Sequence, residues 1–288
     1  MKRVIQKKVE HEVLSLIPNI SYTCVPSWYG STMRNLKMDI IAPKVREGHE
    51  KCPLILWICG GAFRVVDRSV WIPEMMYFAR KGYIVASIEY RTSNESVFPA
   101  SLVDGKAAVR FLKAHADEFC IDTDRICVMG ESAGGALASL IGFTEEEKEY
   151  DRGDFLDQDS SVNAVVAFYG VADMMNDFAE GKAEEGGYND DVPPWTFRDY
   201  LGINATEETA RKSSAITYIN EKTPPVMILH GSEDTVVPME QSTGFYEKLQ
   251  EQGIYSEFYV VEGAAHGDEA FYQTEVLDIV DQFLKKVL

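Results

Sequence analysis

The hexapeptide Gly130-Glu131-Ser132-Ala133-Gly134-Gly135 constrains this chain more than any other stretch. The apolar run Arg125-Ile126-Cys127-Val128-Met129 leads into it and reads as a buried strand. Ala136-Leu137-Ala138-Ser139-Leu140-Ile141 leads out of it and reads as the opening of a helix. A Gly-x-Ser-x-Gly between a strand and a helix is the pattern of a nucleophile elbow, a sharp turn that lifts a serine hydroxyl to the carboxyl edge of a sheet. The residues two before and two after the serine lie almost against each other in such a turn. Side chains there would clash, so Gly130 and Gly134 carry none. The same turn aims the N–H of Ala133 at the space in front of the hydroxyl.

A chain of 288 residues with 45% hydrophobic and 11% aromatic content can bury one α/β core. The N-terminus, Met1-Lys2-Arg3-Val4-Ile5-Gln6-Lys7-Lys8, has charge and no apolar h-region, so it does not read as a secretory signal. No apolar stretch approaches the length of a membrane span. The five cysteines are odd in number and match no zinc spacing. Cys59, Cys120 and Cys127 fall in or beside apolar runs, which points to a reducing, cytoplasmic setting. A net charge of -18 argues against nucleic acids and anionic membranes as partners.

Taken in order, residues up to about Pro18 read as a helical or irregular leader. Ser21-Tyr22-Thr23-Cys24-Val25 and Leu36-Lys37-Met38-Asp39-Ile40-Ile41 alternate like an antiparallel strand pair at a sheet edge, with Trp28-Tyr29-Gly30 between them. Pro53-Leu54-Ile55-Leu56-Trp57-Ile58-Cys59 is a continuous apolar run, as expected of a strand buried on both faces. Another such run spans Tyr83 to Tyr90, and a helix opens at Pro99 with Ala107, Ala108, Phe111 and Leu112 in register. This alternation predicts parallel strands with helices on both faces. Val162 to Tyr169, Pro225 to His230 and Glu257 to Val261 continue the sheet, and a helix with Val276, Ile279, Val280, Phe283 and Leu284 on one face closes the chain. Residues 171–214 lose periodicity and read as a small inserted cap that holds Tyr188, Trp195, Phe197 and Tyr200.

A serine hydroxyl needs a base within hydrogen-bond reach to attack a carbonyl at neutral pH. Of the five histidines, His11 lies in the charged leader, His49 in a polar loop and His115 in a helix, while His230 ends a buried strand. His266 follows the last strand in Glu262-Gly263-Ala264-Ala265-His266-Gly267, at the edge where open α/β sheets bind ligands, and is the candidate base. Asp234, past the preceding strand, is the candidate acid that would orient it, with Glu233 as its rival. The order Ser132, Asp234, His266 fits the elbow hydrolases. Cys59-Gly60-Gly61-Ala62-Phe63 follows a buried strand and can present backbone N–H groups to an oxyanion, Gly61 and Ala62 together with Ala133 being the candidate donors.

With Glu89-Tyr90-Arg91, Phe98-Pro99-Ala100 and Asp104 added to these motifs, the chain resembles the α/β-hydrolase esterases and lipases from about Leu36 onward. It is most similar to the hormone-sensitive-lipase-like and bacterial feruloyl/acetyl esterase-like groups. The resemblance implies a single α/β-hydrolase domain: a mostly parallel central sheet, helices on both faces and a cap at about 171–214. It implies that Ser132, Asp234 and His266 form a catalytic triad. The implied reaction is hydrolysis of short acyl esters through an acyl-enzyme, with acetyl or feruloyl groups on carbohydrate as substrates, without metal or organic cofactor. The chain departs from the group's usual His-Gly-Gly-Gly, placing Cys59 where the imidazole normally supports the loop and leaving Gly60 a rival of Gly61 as donor. An arylformamidase-like hydrolase of small amides and a catalytically silent binding module are the alternative readings. An aromatic surface from Tyr188, Trp195 and Phe197, with Trp28 and Tyr29, would suit sugar rings or equally form the cap's own core. The sequence specifies no oligomeric state.

Overall fold

The computed structural model describes residues 1–175 and 196–288. Eight strands form one sheet: β1 (Leu14–Ser27), β2 (Thr32–Pro43), β3 (Cys52–Ile58), β4 (Ile84–Ile88), β5 (Ile121–Glu131), β6 (Ala164–Phe168), β7 (Val226–Gly231) and β8 (Ser256–Val261). Their order across the sheet is β1-β2-β4-β3-β5-β6-β7-β8. β2 runs antiparallel to both its neighbours, and every pairing from β4 to β8 is parallel. The fold is that of an α/β hydrolase.

The two-residue period of the strands sorts the core into two layers. Leu54, Leu56 and Ile58 of β3, with Ile126 and Val128 of β5, face one side. There they meet Leu102 and Leu112 of α2 (Ala100–Ala114), Leu137 and Ile141 of α4 (Ala133–Phe143), and Phe245 and Leu249 of a later helix, Met239–Glu251. Ile55, Trp57, Cys127 and Met129 face the other side, against Met75 and Phe78 of α1 (Ile72–Arg80) and Val280, Phe283 and Leu284 of the last helix, Thr274–Val287. The short helix α3 (Ala116–Phe119) connects α2 to β5. Every residue of α4 is buried, as befits a helix whose sequence is apolar or small all round.

The leader is shorter than expected. β1 begins at Leu14 and is half exposed, and its residues pair with β2 from Leu14↔Pro43 to Ser27↔Thr32 around register shifts. Within the segment expected to form a cap, residues 176–195 lie outside the described residues, Tyr188 and Trp195 among them. The described part contains α5 (Thr196–Leu201) and α6 (Glu207–Lys212). A capping box between Thr206 and Thr209 starts α6, with Glu207 and Glu208 in its first turn and Arg211 and Lys212 in its last, each complementing the helix dipole. Phe197, Tyr200 and Leu201 of α5 are buried, and Tyr200 stacks on Phe63 with ring centroids 3.8 Å apart. Among the described residues no helix is long and apolar enough to cross a membrane.

β4 lies on one side of β3 and β5 on the other, so the strand order reverses between β3 and β5. Loops leaving such a point diverge and open a crevice at the carboxyl ends of the strands. The loop after β3 carries Gly60-Gly61-Ala62, and the turn after β5 carries Ser132.

Candidate active site

Ser132 occupies a strained conformation, φ 53° and ψ -123°, between β5 and α4. Its neighbours explain how the turn closes. A Cβ on Gly130 would stand 2.4 Å from the carbonyl oxygen of Gly134, and one on Gly134 would stand 2.0 Å from that of Ile58. Bare backbone at these positions lets the elbow pack against the end of β3. The Ser132 N–H donates to the Phe168 carbonyl at 2.9 Å, anchoring the turn to β6.

The Ser132 hydroxyl lies 2.9 Å from His266 Nε2, and His266 Nδ1 lies 2.7 Å from Asp234 Oδ2. Nδ1–H therefore donates to the carboxylate, which leaves Nε2 to accept the serine proton. The structure thus brings together the three residues singled out from the sequence. Glu233, the rival acid, is exposed, and its backbone N–H donates to the Ala264 carbonyl.

Asp234 is held on several sides. The N–H groups of Val236 and Val237 each donate to Oδ1 at 2.8 Å, and His230 Nε2 lies 3.2 Å from Oδ2. Burial works against the charge on Asp234, but hydrogen bonds from His230 and His266, and that of Val237, outweigh it and hold the carboxyl well below the usual carboxylate range. His230 itself is fully buried between the Ser242 hydroxyl, 2.7 Å from Nδ1, and the Val237 carbonyl, 2.9 Å from Nε2. The carbonyl requires a proton on Nε2, so this ring stands as a donor behind Asp234. His115 instead bonds the Phe111 carbonyl and stacks on the Phe111 ring, and His49 pairs with Glu12.

The loop after β3 closes the site from the opposite side. Gly61 has φ 119° and Ala62 φ 54°, both in the left-handed region of the backbone. Gly61, Ala62 and Ala133 line the same cavity as Ser132 and His266. The Gly60 N–H is already engaged, donating to Glu131 Oε1. Tyr90 donates its hydroxyl to the Cys59 carbonyl at 2.9 Å, and the Ser93 N–H donates to the Phe63 carbonyl at 2.8 Å, fixing both ends of the loop. Burial, with the neighbouring Glu131 carboxylate adding to it, pushes the Cys59 thiol up to about 12, so it stays protonated and packs as a small apolar group.

The cavity has a volume of about 630 Å³ and an apolar lining that includes Phe63, Val65, Val171, Phe197, Val236 and Val237. Trp28 and Tyr29 are exposed and do not belong to that lining. Among the described residues no group of three or more His, Cys, Asp or Glu side chains is placed to hold a metal ion.

The chain has relatives among known proteins. The model of the BD-FAE family matches residues 38–249. The chain belongs to the BD-FAE family. Its relatives include the probable carboxylic ester hydrolase LipM of Mycobacterium tuberculosis, 30% identical over 226 residues, which cover 77% of this chain and 51% of LipM. The chain spans about half the length of the curated relatives it matches. Among solved structures, the truncated form of a carbohydrate esterase from gut microbiota superposes with a TM-score of 0.76 at 26% identity, covering 98% of this chain and 99% of that one. A thermophilic esterase from Thermogutta terrifontis, solved with butyrate bound, superposes with a TM-score of 0.73 at 26% identity, covering 88% and 90% of the two chains.

Two residues of this BD-FAE site were not evident from the sequence. His230 read as a strand-end residue, yet it is a hydrogen-bond partner of the acid. Glu131 was given no role within the hexapeptide. The available signal was a carboxylate directly after a buried apolar strand, where an acid needs a partner to be tolerated.

Proposed function

We propose that this protein is a serine carboxylesterase that hydrolyses short acyl esters through an acyl-enzyme. The observation that carries the reading is the continuous relay Ser132–His266–Asp234 at the wall of an apolar cavity. Ser132 Oγ attacks the ester carbonyl while His266 Nε2 takes its proton, and Asp234 holds Nδ1–H and stabilises the imidazolium. The oxyanion is met by the N–H groups of Gly61, Ala62 and Ala133. His266 returns its proton to the departing alkoxide, leaving the acyl group on Ser132. A water molecule then gives up a proton to His266, attacks the acyl carbon, and the acid leaves as Ser132 recovers its hydrogen.

The apolar lining suits an acyl chain, and butyrate in the Thermogutta esterase supports a short one. The likeness to a carbohydrate esterase favours acetyl or feruloyl groups on small saccharides as the substrate class. Five free thiols suit a reducing, cytoplasmic setting. We read the chain as one α/β-hydrolase domain with an inserted cap segment at about 171–214, of which the described residues Val171 and Phe197 line the cavity.

The test is covalent. Incubation with a p-nitrophenyl phosphonate should add one phosphonyl group per chain, located by peptide mass spectrometry on Ser132, and Ser132→Ala should take up none. Equal labelling of Ser132→Ala would overturn the assignment of the nucleophile.

A further inference from the structure

Glu131 stands one residue before the proposed nucleophile, only 9% exposed, and no step above uses it. Its Oε1 accepts two hydrogen bonds from different parts of the chain. One comes from the Gly60 N–H of the oxyanion loop and the other from Trp71 Nε1, 3.2 Å away, at the entrance to α1. The fit around Gly60 is close, since a Cβ there would stand 2.6 Å from either Glu131 carboxylate oxygen. Trp71 is braced in turn. Its ring stacks on Tyr272 at 4.1 Å, the Tyr272 hydroxyl bonds that of Tyr169 at 2.9 Å, and the Tyr169 ring meets His266 edge-on at 4.8 Å. The Cys59 side chain offers the loop no comparable support, since its Sγ faces the Ser87 hydroxyl at 3.9 Å.

Resting on the serine-esterase reading above, we propose that Glu131 is the positioning residue of the oxyanion loop. By taking up the Gly60 N–H it orients the two peptides that follow, so that the N–H groups of Gly61 and Ala62 face the carbonyl oxygen attacked by Ser132. Gly60 is thereby the fixed root of the loop and its two successors are the donors. Because Glu131 and Ser132 are consecutive, one short segment sets the nucleophile and the oxyanion donors in a common frame. The role needs an acceptor oxygen at the right reach and does not need a negative charge. Burial already pushes the Glu131 carboxyl upward, in keeping with a group retained for its acceptor.

The distinction between reach and charge gives the test. Glu131→Gln keeps a carbonyl oxygen at the same distance from Gly60 and removes the charge. Glu131→Asp keeps the charge and withdraws the oxygens by one methylene. With p-nitrophenyl acetate, Glu131→Asp should lose about 10- to 100-fold in kcat with KM within about 3-fold, whereas Glu131→Gln stays within about 3-fold of wild type in both. An aryl trifluoromethyl ketone provides a second readout. Ser132 Oγ adds to its carbonyl carbon as the C=O π bond opens, the serine proton passes to His266, and the resulting oxyanion occupies the hole. Ketone affinity should fall with kcat in Glu131→Asp and persist in Glu131→Gln. A role in stability alone would lower the melting temperature of Glu131→Asp and leave its kcat and ketone affinity unchanged, which would overturn the proposal. The reverse ranking, with Glu131→Gln impaired and Glu131→Asp normal, would overturn it as well. Wild-type protein that neither cleaves the ester nor binds the ketone would instead sink the esterase reading and this proposal with it.

Discussion

Asp234 keeps its charge inside the protein because donors converge on both of its oxygens: backbone N–H groups on Oδ1, His230 and His266 on Oδ2. Its native pKa is depressed below the unfolded value of about 4. The unfolded chain therefore takes up a proton at this site before the native protein does. The stabilisation is fully present above about pH 5 and drains away as pH falls through and below the unfolded value. Asp234→Asn should accordingly lower the free energy of denaturant unfolding near neutral pH, and the gap to wild type should shrink between pH 5 and pH 3. A gap that stays constant or widens on acidification would contradict the hydrogen-bonding scheme. At this scale the sequence was informative where chemistry coincides with position in the chain. Ser132, Asp234 and His266 each follow a strand, in an order that one motif predicts. His230 and Glu131 were silent because their partners, Ser242 and Val237 for the first and Gly60 and Trp71 for the second, are brought to them only by the fold.

Between β5 and α4, the elbow depends on missing side chains. A methyl group at Gly134 would overlap the Ile58 carbonyl oxygen, with the Cys59 carbonyl carbon also within 2.8 Å, and neither backbone can yield without moving β3. Gly244, inside the helix Met239–Glu251, has nothing within 4 Å of its missing Cβ. Two chemically identical changes should therefore have opposite signs. Gly134→Ala is expected to destabilise by about 3 kcal/mol or more, and Gly244→Ala to stabilise by roughly 0.5–1 kcal/mol through helix propensity. Equal effects in thermal or urea unfolding would mean that the close approach of elbow and β3 is not real. The buried strands were easy to recognise as elements, since runs such as Leu54 to Ile58 are apolar on both faces. The first half of β1 was not. Its half-exposed residues around Pro18 and Asn19 carry little pattern, and pairing with the later strand β2 is what makes them extended. The short helix Thr196–Leu201 resisted reading for a similar reason: Tyr200 is fixed by stacking on Phe63 and by its carbonyl accepting the Phe98 N–H, contacts that no local periodicity encodes.

Across the whole molecule, the reversal of strand order between β3 and β5 places the Gly60-Gly61-Ala62 loop beside Ser132, and β7 and β8 bring in Asp234 and His266 from the same edge. Four separate loops thus meet at one cavity because parallel strands share a carboxyl end. The net charge of -18 favours neutral ligands over anionic ones through long-range repulsion. The central claim is Ser132-dependent cleavage of short acyl esters, and steady-state hydrolysis of p-nitrophenyl esters from acetate to decanoate, with Ser132→Ala in parallel, tests it most directly. The expected result is turnover that is highest at acetate to butyrate, falls steeply with longer chains and drops by at least about 1,000-fold in a folded Ser132→Ala protein. Folded wild-type protein that cleaves none of the esters, or a Ser132→Ala variant as active as wild type, would contradict it.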